Sequence, residues 1–158
     1  MMPPGPWRRW CGPLAALAVV AADRASKLCV ASSLELWSSR TVVPGLFDLV
    51  HSRNRGMAFG LLIAASIAVL AFLAQLTLRA WRDTGDAVPL PLFLVLGGAT
   101  GNLWDRVQHG YVEDFLDFHL AGWSWPAFNV ADSAITIGAL WLQWEMWRPG
   151  RTTAEKRS

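Results

Sequence analysis

Residues 57–78 are a run of 22 without one charged side chain. As a helix rising 1.5 Å per residue, that run covers about 33 Å, enough to cross the hydrocarbon core of a bilayer. A soluble helix of this length needs a polar face, and this one has none. The rest of the 158-residue chain agrees, with 53 % apolar and only 16 % charged residues, against roughly 25 % charged in a soluble protein. Three more apolar stretches stand out: 11–34, interrupted by Asp23, Arg24 and Lys27; 87–104, with Pro89 and Pro91 in its first turns; and 126–144, interrupted by Asp132. The expectation is a single all-α integral membrane domain of four transmembrane helices, followed by a polar, frayed tail over 148–158.

The first stretch has a second reading. Arg8 and Arg9 ahead of residues 13–22 look like the basic and apolar regions of a cleaved signal peptide. Further apolar residues after Lys27 favour a retained span. Asp23 and Lys27 lie four apart and share a helix face, an acid-before-base pair that should turn inward. Cys11 and Cys29 have the spacing of neither a zinc site nor a disulfide, and read as packing residues. The net charge of +2, with no basic patch among exposed aromatics, argues against nucleic-acid binding.

Basic residues set the orientation. With the N-terminus inside, the inner side holds Arg8, Arg9, Arg79, Arg82, Arg148, Arg151, Lys156 and Arg157, and the outer loops hold Arg40, Arg53, Arg55 and Arg106. Both termini are therefore expected on the cytoplasmic side. Tryptophans fall into two interfacial belts, Trp37, Trp104, Trp123 and Trp125 outside, Trp7, Trp10, Trp81, Trp144 and Trp147 inside. Two outer segments result, 35–55 and 105–125. The first, with the turn signal Pro44-Gly45 ahead of residues 46–50, predicts a small extracytoplasmic β element folded against the bundle. The second is expected to be a loop or helix between spans three and four.

Polar residues that intrude on apolar sequence gather toward the outer side: Asn54, Asn102, Asp105, Arg106, Asp114, Asn129 and Asp132. Asp132 lies about 9 Å into the fourth stretch counted from Pro126. An intramembrane aspartate costs several kcal/mol unless paired, protonated or wetted. Asp114 is the best partner, because its segment returns the chain to the start of that stretch. Two facing carboxylates cannot easily both ionise, so they share a proton. Such a pair can hydrolyse an amide, one member taking a proton from water and the other giving one to the carbonyl oxygen or leaving nitrogen. The same placement is open to a helix-packing role, or to a proton relay through Asp132 and Asp23 in a small carrier.

Other chemistries have thinner support. His109, Glu113, Asp117 and His119 have mixed spacing of a kind common in loops, and no metal or cofactor is expected. Adjacent Ser26 and Lys27 do not match a serine–lysine dyad. Gly97, Gly98 and Gly101 lack the strand–helix context of a phosphate loop and read as close helix packing.

Five stretches in order carry a resemblance: Asp23 to Lys27; Asn54-Arg55-Gly56-Met57-Ala58-Phe59; Gly97 to Arg106; Gly110-Tyr111-Val112-Glu113-Asp114-Phe115; and Pro126 to Ser133. The chain resembles the lipoprotein signal peptidases, or signal peptidase II, over most of its length. That resemblance implies a bacterial cytoplasmic-membrane aspartic endopeptidase with Asp114 and Asp132 as catalytic residues. It implies that Asn54, Gly56, Asn102, Arg106 and Asn129 bind substrate, with Asp23, Lys27 and Asp105 supporting. The implied substrate is a prolipoprotein whose cysteine carries a diacylglyceryl thioether, cut just before that cysteine. The enzyme would act as a monomer among membrane lipids. Met57 stands where the family usually has alanine. The aromatic segment 115–128 is expected to act as a lid over the lipidated cysteine.

Overall fold

The protein is described by a computed structural model covering residues 8–56, 59–84 and 89–148. Trp7, Met57, the start of the third apolar stretch at Ala87 and the tail past Arg148 lie outside these residues. The order is α1 (Arg8–Ser33), β1 (Ser39–Val43), β2 (Phe47–Asn54), α2 (Phe59–Thr84), α3 (Leu90–His109), β3 (Val112–Leu120), β4 (Trp123–Ser124) and α4 (Val130–Trp147).

Helix α3 is the centre of the bundle. It packs against α1, α4 and α2, whereas α2 packs against α3 alone among the described elements. Side-chain-free positions permit this crowding. A Cβ on Gly97 would meet the Ala16 carbonyl oxygen of α1 at 2.8 Å, and one on Gly98 would meet the Ala131 carbonyl oxygen of α4 at 2.3 Å. Pro91, in the first turn of α3, costs no helical hydrogen bond. The helix runs past the expected end at Trp104 to His109, where Gly110 closes it in the left-handed conformation.

Burial is inverted relative to a water-soluble bundle. Leu14, Leu17 and Leu28 of α1, Leu61, Ile67 and Phe72 of α2, and Ile137 and Leu140 of α4 are more than half exposed, while Asp23, Lys27, Asp105 and Asn129 are almost completely buried. Taken helix by helix over the described residues, none is long and apolar enough to cross a membrane. The charges that interrupt α1, α3 and α4 point into the bundle. Cys11 and Cys29, expected to pack inside, are exposed on α1.

The β element is larger than the sequence suggested. Strands β1 to β4 form an antiparallel sheet in chain order. The expected loop or helix between α3 and α4 is instead largely strand β3, paired with β2 from Phe47↔Phe118 to Asn54↔Val112. The reason is physical: β2 cannot leave its edge groups unpaired, and β3 supplies the partner. Phe47, Phe118 and Phe128 stack at 4.7 and 5.8 Å between ring centres. Between Leu49 and Ser52, β2 carries one residue more than β3 has from Leu116 to Asp114, so Val50 and His51 bulge opposite Phe115. On its other edge β3 binds Phe128, whose carbonyl accepts from Phe115 and Leu116 and whose N–H donates to the Leu116 carbonyl. One strand thus carries Asp114 and holds the approach to α4.

Candidate active site

Helix α4 begins at Val130, four residues later than the sequence suggested, because Asn129 caps it. The Asn129 side-chain oxygen accepts from the Asp132 N–H at 3.0 Å, and the Asp132 carboxylate accepts from the Asn129 N–H at 3.3 Å. This reciprocal box fixes the rotamers of both side chains. Asp132 therefore sits in the first turn, at the positive end of the α4 dipole, rather than deep within the helix.

Asp114 comes to the same place from β3. Its Oδ1 accepts from Asn129 Nδ2 at 2.8 Å and its Oδ2 accepts from Asn54 Nδ2 at 3.3 Å. The backbone of Asp114 is pinned through Ser52, whose hydroxyl donates to its carbonyl at 2.9 Å. Asn102 of α3 completes the ring, donating to Asp132 Oδ1 at 2.7 Å and accepting from Asn129 Nδ2 at 3.3 Å. Arg106 Nη1 donates to the Asn102 carbonyl, and the Gly56 N–H donates to Asn54 Oδ1 at 3.0 Å. Asn129, fully buried, is among the described residues the one side chain bonded to both aspartates.

Burial pushes the Asp114 carboxyl up from the ordinary 3.8 to about 6, and the charge of Asp132 adds to the rise; Asn129, Asn54 and Lys27 oppose it. Loss of water is the leading cause, so the group is primed to hold a proton in a dry setting.

Two clefts are lined in part by Asp132. One, of about 460 Å³, is walled by Phe118, Trp123, Trp125, Phe128 and Ile137. The other, of about 320 Å³, runs between α2 and α4 past Ser66, Val69, Asn102, Arg106 and Ile135. A carboxylate held by polar partners and lining two clefts with apolar walls suits a polar bond embedded in an apolar molecule.

Beneath the ring lies a buried ionic cluster. Lys27 Nζ is 2.6 Å from Asp23 Oδ2 and 2.6 Å from Asp105 Oδ2, and Arg24 also pairs with Asp105. The second Asp23 oxygen accepts from the Ala131 N–H at 3.0 Å. The cluster joins α1 to α3 and to the first turn of α4, one residue before Asp132.

All ten residues singled out from the sequence thus meet in this ring or the cluster below it. Sequence reasoning missed Ser52 and the carbonyl of Glu113, which accepts from Asn129 Nδ2 at 3.3 Å. Neither carries a sequence signal, since both act through strand pairing. The four residues weighed as metal ligands separate: His109 lies near Asp105 and Tyr111, and Glu113 faces His51 and Arg53. Asp117 and His119 instead lie with Asp48, ligand atoms within 4.8 Å of one another, on the sheet.

The sequence profile of the peptidase family described as signal peptidase (SPase) II matches residues 15–148. The chain belongs to the signal peptidase II family. A lipoprotein signal peptidase of Syntrophotalea carbinolica is 45 % identical over 87 % of this chain and 91 % of its own. Another, from Solibacter usitatus, is 38 % identical over 92 % and 96 %. A solved bacterial membrane enzyme superposes with a TM-score of 0.73 at 26 % identity, covering 88 % of this chain and 94 % of that one. Membership in the signal peptidase II family agrees with the resemblance read from the five stretches.

Proposed function

We propose that the chain is a membrane-embedded aspartic endopeptidase that removes the signal peptide from diacylglyceryl-modified bacterial prolipoproteins, cutting before the lipidated cysteine. The observation that carries this reading is the joining of Asp114 and Asp132 through Asn129 at the meeting of two apolar-walled clefts. In the proposed reaction a water sits between the carboxyl groups. Asp132 takes a proton from it while the oxygen attacks the scissile carbonyl, and Asp114 donates its proton to the carbonyl oxygen. Collapse of the tetrahedral intermediate breaks the C–N bond as the proton held on Asp132 passes to the leaving nitrogen and one hydroxyl proton of the intermediate returns to Asp114. Covering Asp114 with an apolar substrate removes its remaining water, which favours the protonated form further.

The membrane setting is supported by the inverted burial and by the uncharged run 57–78. The four helices are proposed to span the bilayer, each covering its interrupting charges with its neighbours. Eight basic residues on one side against four on the other support cytoplasmic termini and a site at the outer face. The relatives named lipoprotein signal peptidase support the substrate class. A lipid-anchored bond cannot leave the bilayer surface cheaply, so an enzyme for it must work there. The chain is proposed to act as a monomer.

Purified protein in detergent, given a diacylglyceryl-modified precursor and its unlipidated twin, tests the reading by product mass. The expected result is one cut, before the lipidated cysteine, in the modified precursor only. Cutting elsewhere, or equal cutting of both, overturns the substrate assignment.

A further inference from the structure

Close to the ring, yet outside it, lies a buried histidine that the proposed reaction does not use. His51 is 4 % exposed and sits in the β2 bulge. Its Nδ1 is 2.9 Å from the carbonyl oxygen of Leu34, at the end of α1. A carbonyl oxygen only accepts, so this contact requires the proton on Nδ1. The other nitrogen, Nε2, is buried without a hydrogen-bond partner and faces Glu113 Oε1 at 3.6 Å. A neutral ring would aim the Nε2 lone pair at a carboxylate, two acceptors facing each other away from water. A second proton turns the same contact into an ion pair.

Glu113 immediately precedes Asp114, and its own carbonyl accepts from Asn129. Because successive strand residues face opposite sides, Glu113 points away from the ring that Asp114 enters. A pull on Glu113 therefore sets where Asp114 meets Asn129. We propose that His51 is a positioning residue for Asp114: as an imidazolium it clamps Glu113 to the end of α1, and loss of its proton releases β3. This rests on the aspartic peptidase reading.

Arg53, on the same strand, reaches the same Glu113 oxygen with Nε at 3.9 Å, while its guanidinium lies over Tyr111 at 4.4 Å. Asp117 of β3 shares a cleft of about 340 Å³ with His51. Asp23 and Lys27 of α1 are taken up with each other and with Asp105. Asp114 itself faces the opposite side of β3.

Two readings on the intact protein in micelles test the clamp. Nitrogen NMR of the histidine ring reads its tautomer and its proton loss. The pH profile of kcat/KM is compared for the parent, Glu113→Gln and His51→Phe. The parent should show Nδ1 protonated throughout and, as Nε2 loses its proton with rising pH, a fall of roughly tenfold carried by kcat, the size of one charge-assisted contact. In Glu113→Gln the amide can donate to the neutral ring, so this fall should vanish while the one due to Asp114 remains. His51→Phe should be low at every pH. If His51→Phe does not fold, Glu113→Gln still decides. An unchanged profile in Glu113→Gln, or a proton on Nε2 alone, overturns the proposal. If the folded parent cleaves nothing, the peptidase reading fails, while the tautomer and proton loss still decide whether the clamp exists.

Discussion

Replacing Asp114 by asparagine should abolish cleavage and at the same time stabilise the protein at neutral and alkaline pH. The carboxyl is raised from 3.8 to about 6 mainly by burial, so its ionised form is worse off folded than unfolded. The folded state binds more protons than the unfolded one between those two values, and stability falls as pH rises through that window. The full shift corresponds to about 3 kcal/mol above pH 6. Asparagine removes that cost and keeps an oxygen for Asn129. Its amide nitrogen then faces Asn54 Nδ2, now 3.3 Å from a carboxylate oxygen, and this donor–donor contact costs about 1 kcal/mol. The net gain is about 2 kcal/mol, or roughly 4–8 °C in a chain of this size. Thermal unfolding in detergent, followed from pH 3.5 to 8, should show the variant's advantage absent at the acid end and full at the alkaline end. A variant no more stable than the parent at pH 8 would refute desolvation as the force acting on Asp114.

Asn102→Ala removes the 2.7 Å donor to Asp132 and should lower kcat about 10- to 100-fold, as steady-state cleavage would show, since a bond to a charged group is worth about 1.5–3 kcal/mol. Lys27→Met leaves Asp23 and Asp105 buried without their shared cation and should cost about 3–5 kcal/mol, seen as lost folded yield in detergent. Gly98→Ala drives a methyl to 2.3 Å from the Ala131 carbonyl and should destabilise by about 1–3 kcal/mol, whereas Gly60→Ala, with open space around it, should leave the melting temperature nearly unchanged. Trp123 and Trp125 stand exposed over the Asp132 cleft; changing both to alanine should slow cleavage without lowering thermal stability, and unchanged turnover would rule out a lid.

The helices were legible because their apolar stretches are long, yet the end of α3 and the start of α4 were set locally. Asn129 delays α4 to Val130 by capping, and α3 continues past Asp105 and Arg106, which a hydropathy boundary would exclude, until Gly110 closes it. The sheet was legible only near residues 46–50. Strand β3 mixes Glu113, Asp114 and Asp117 among apolar residues, and nothing local says that it will pair with β2. The aspartates could be named from their misfit with apolar surroundings. What joins them, one amide of Asn129 shared between β3 and α4, depends on tertiary placement. His51 carried no signal, because its role comes from a bulge and from the carbonyl of Leu34.

The most direct test of the central claim is single-turnover cleavage of a diacylglyceryl-modified precursor by the parent, Asp114→Asn and Asp132→Asn, in chelator, with folding checked by thermal unfolding. The account predicts cleavage by the parent, unaffected by the chelator, and none by either folded variant. Cleavage that survives both substitutions would contradict it and move the chemistry to another part of the chain.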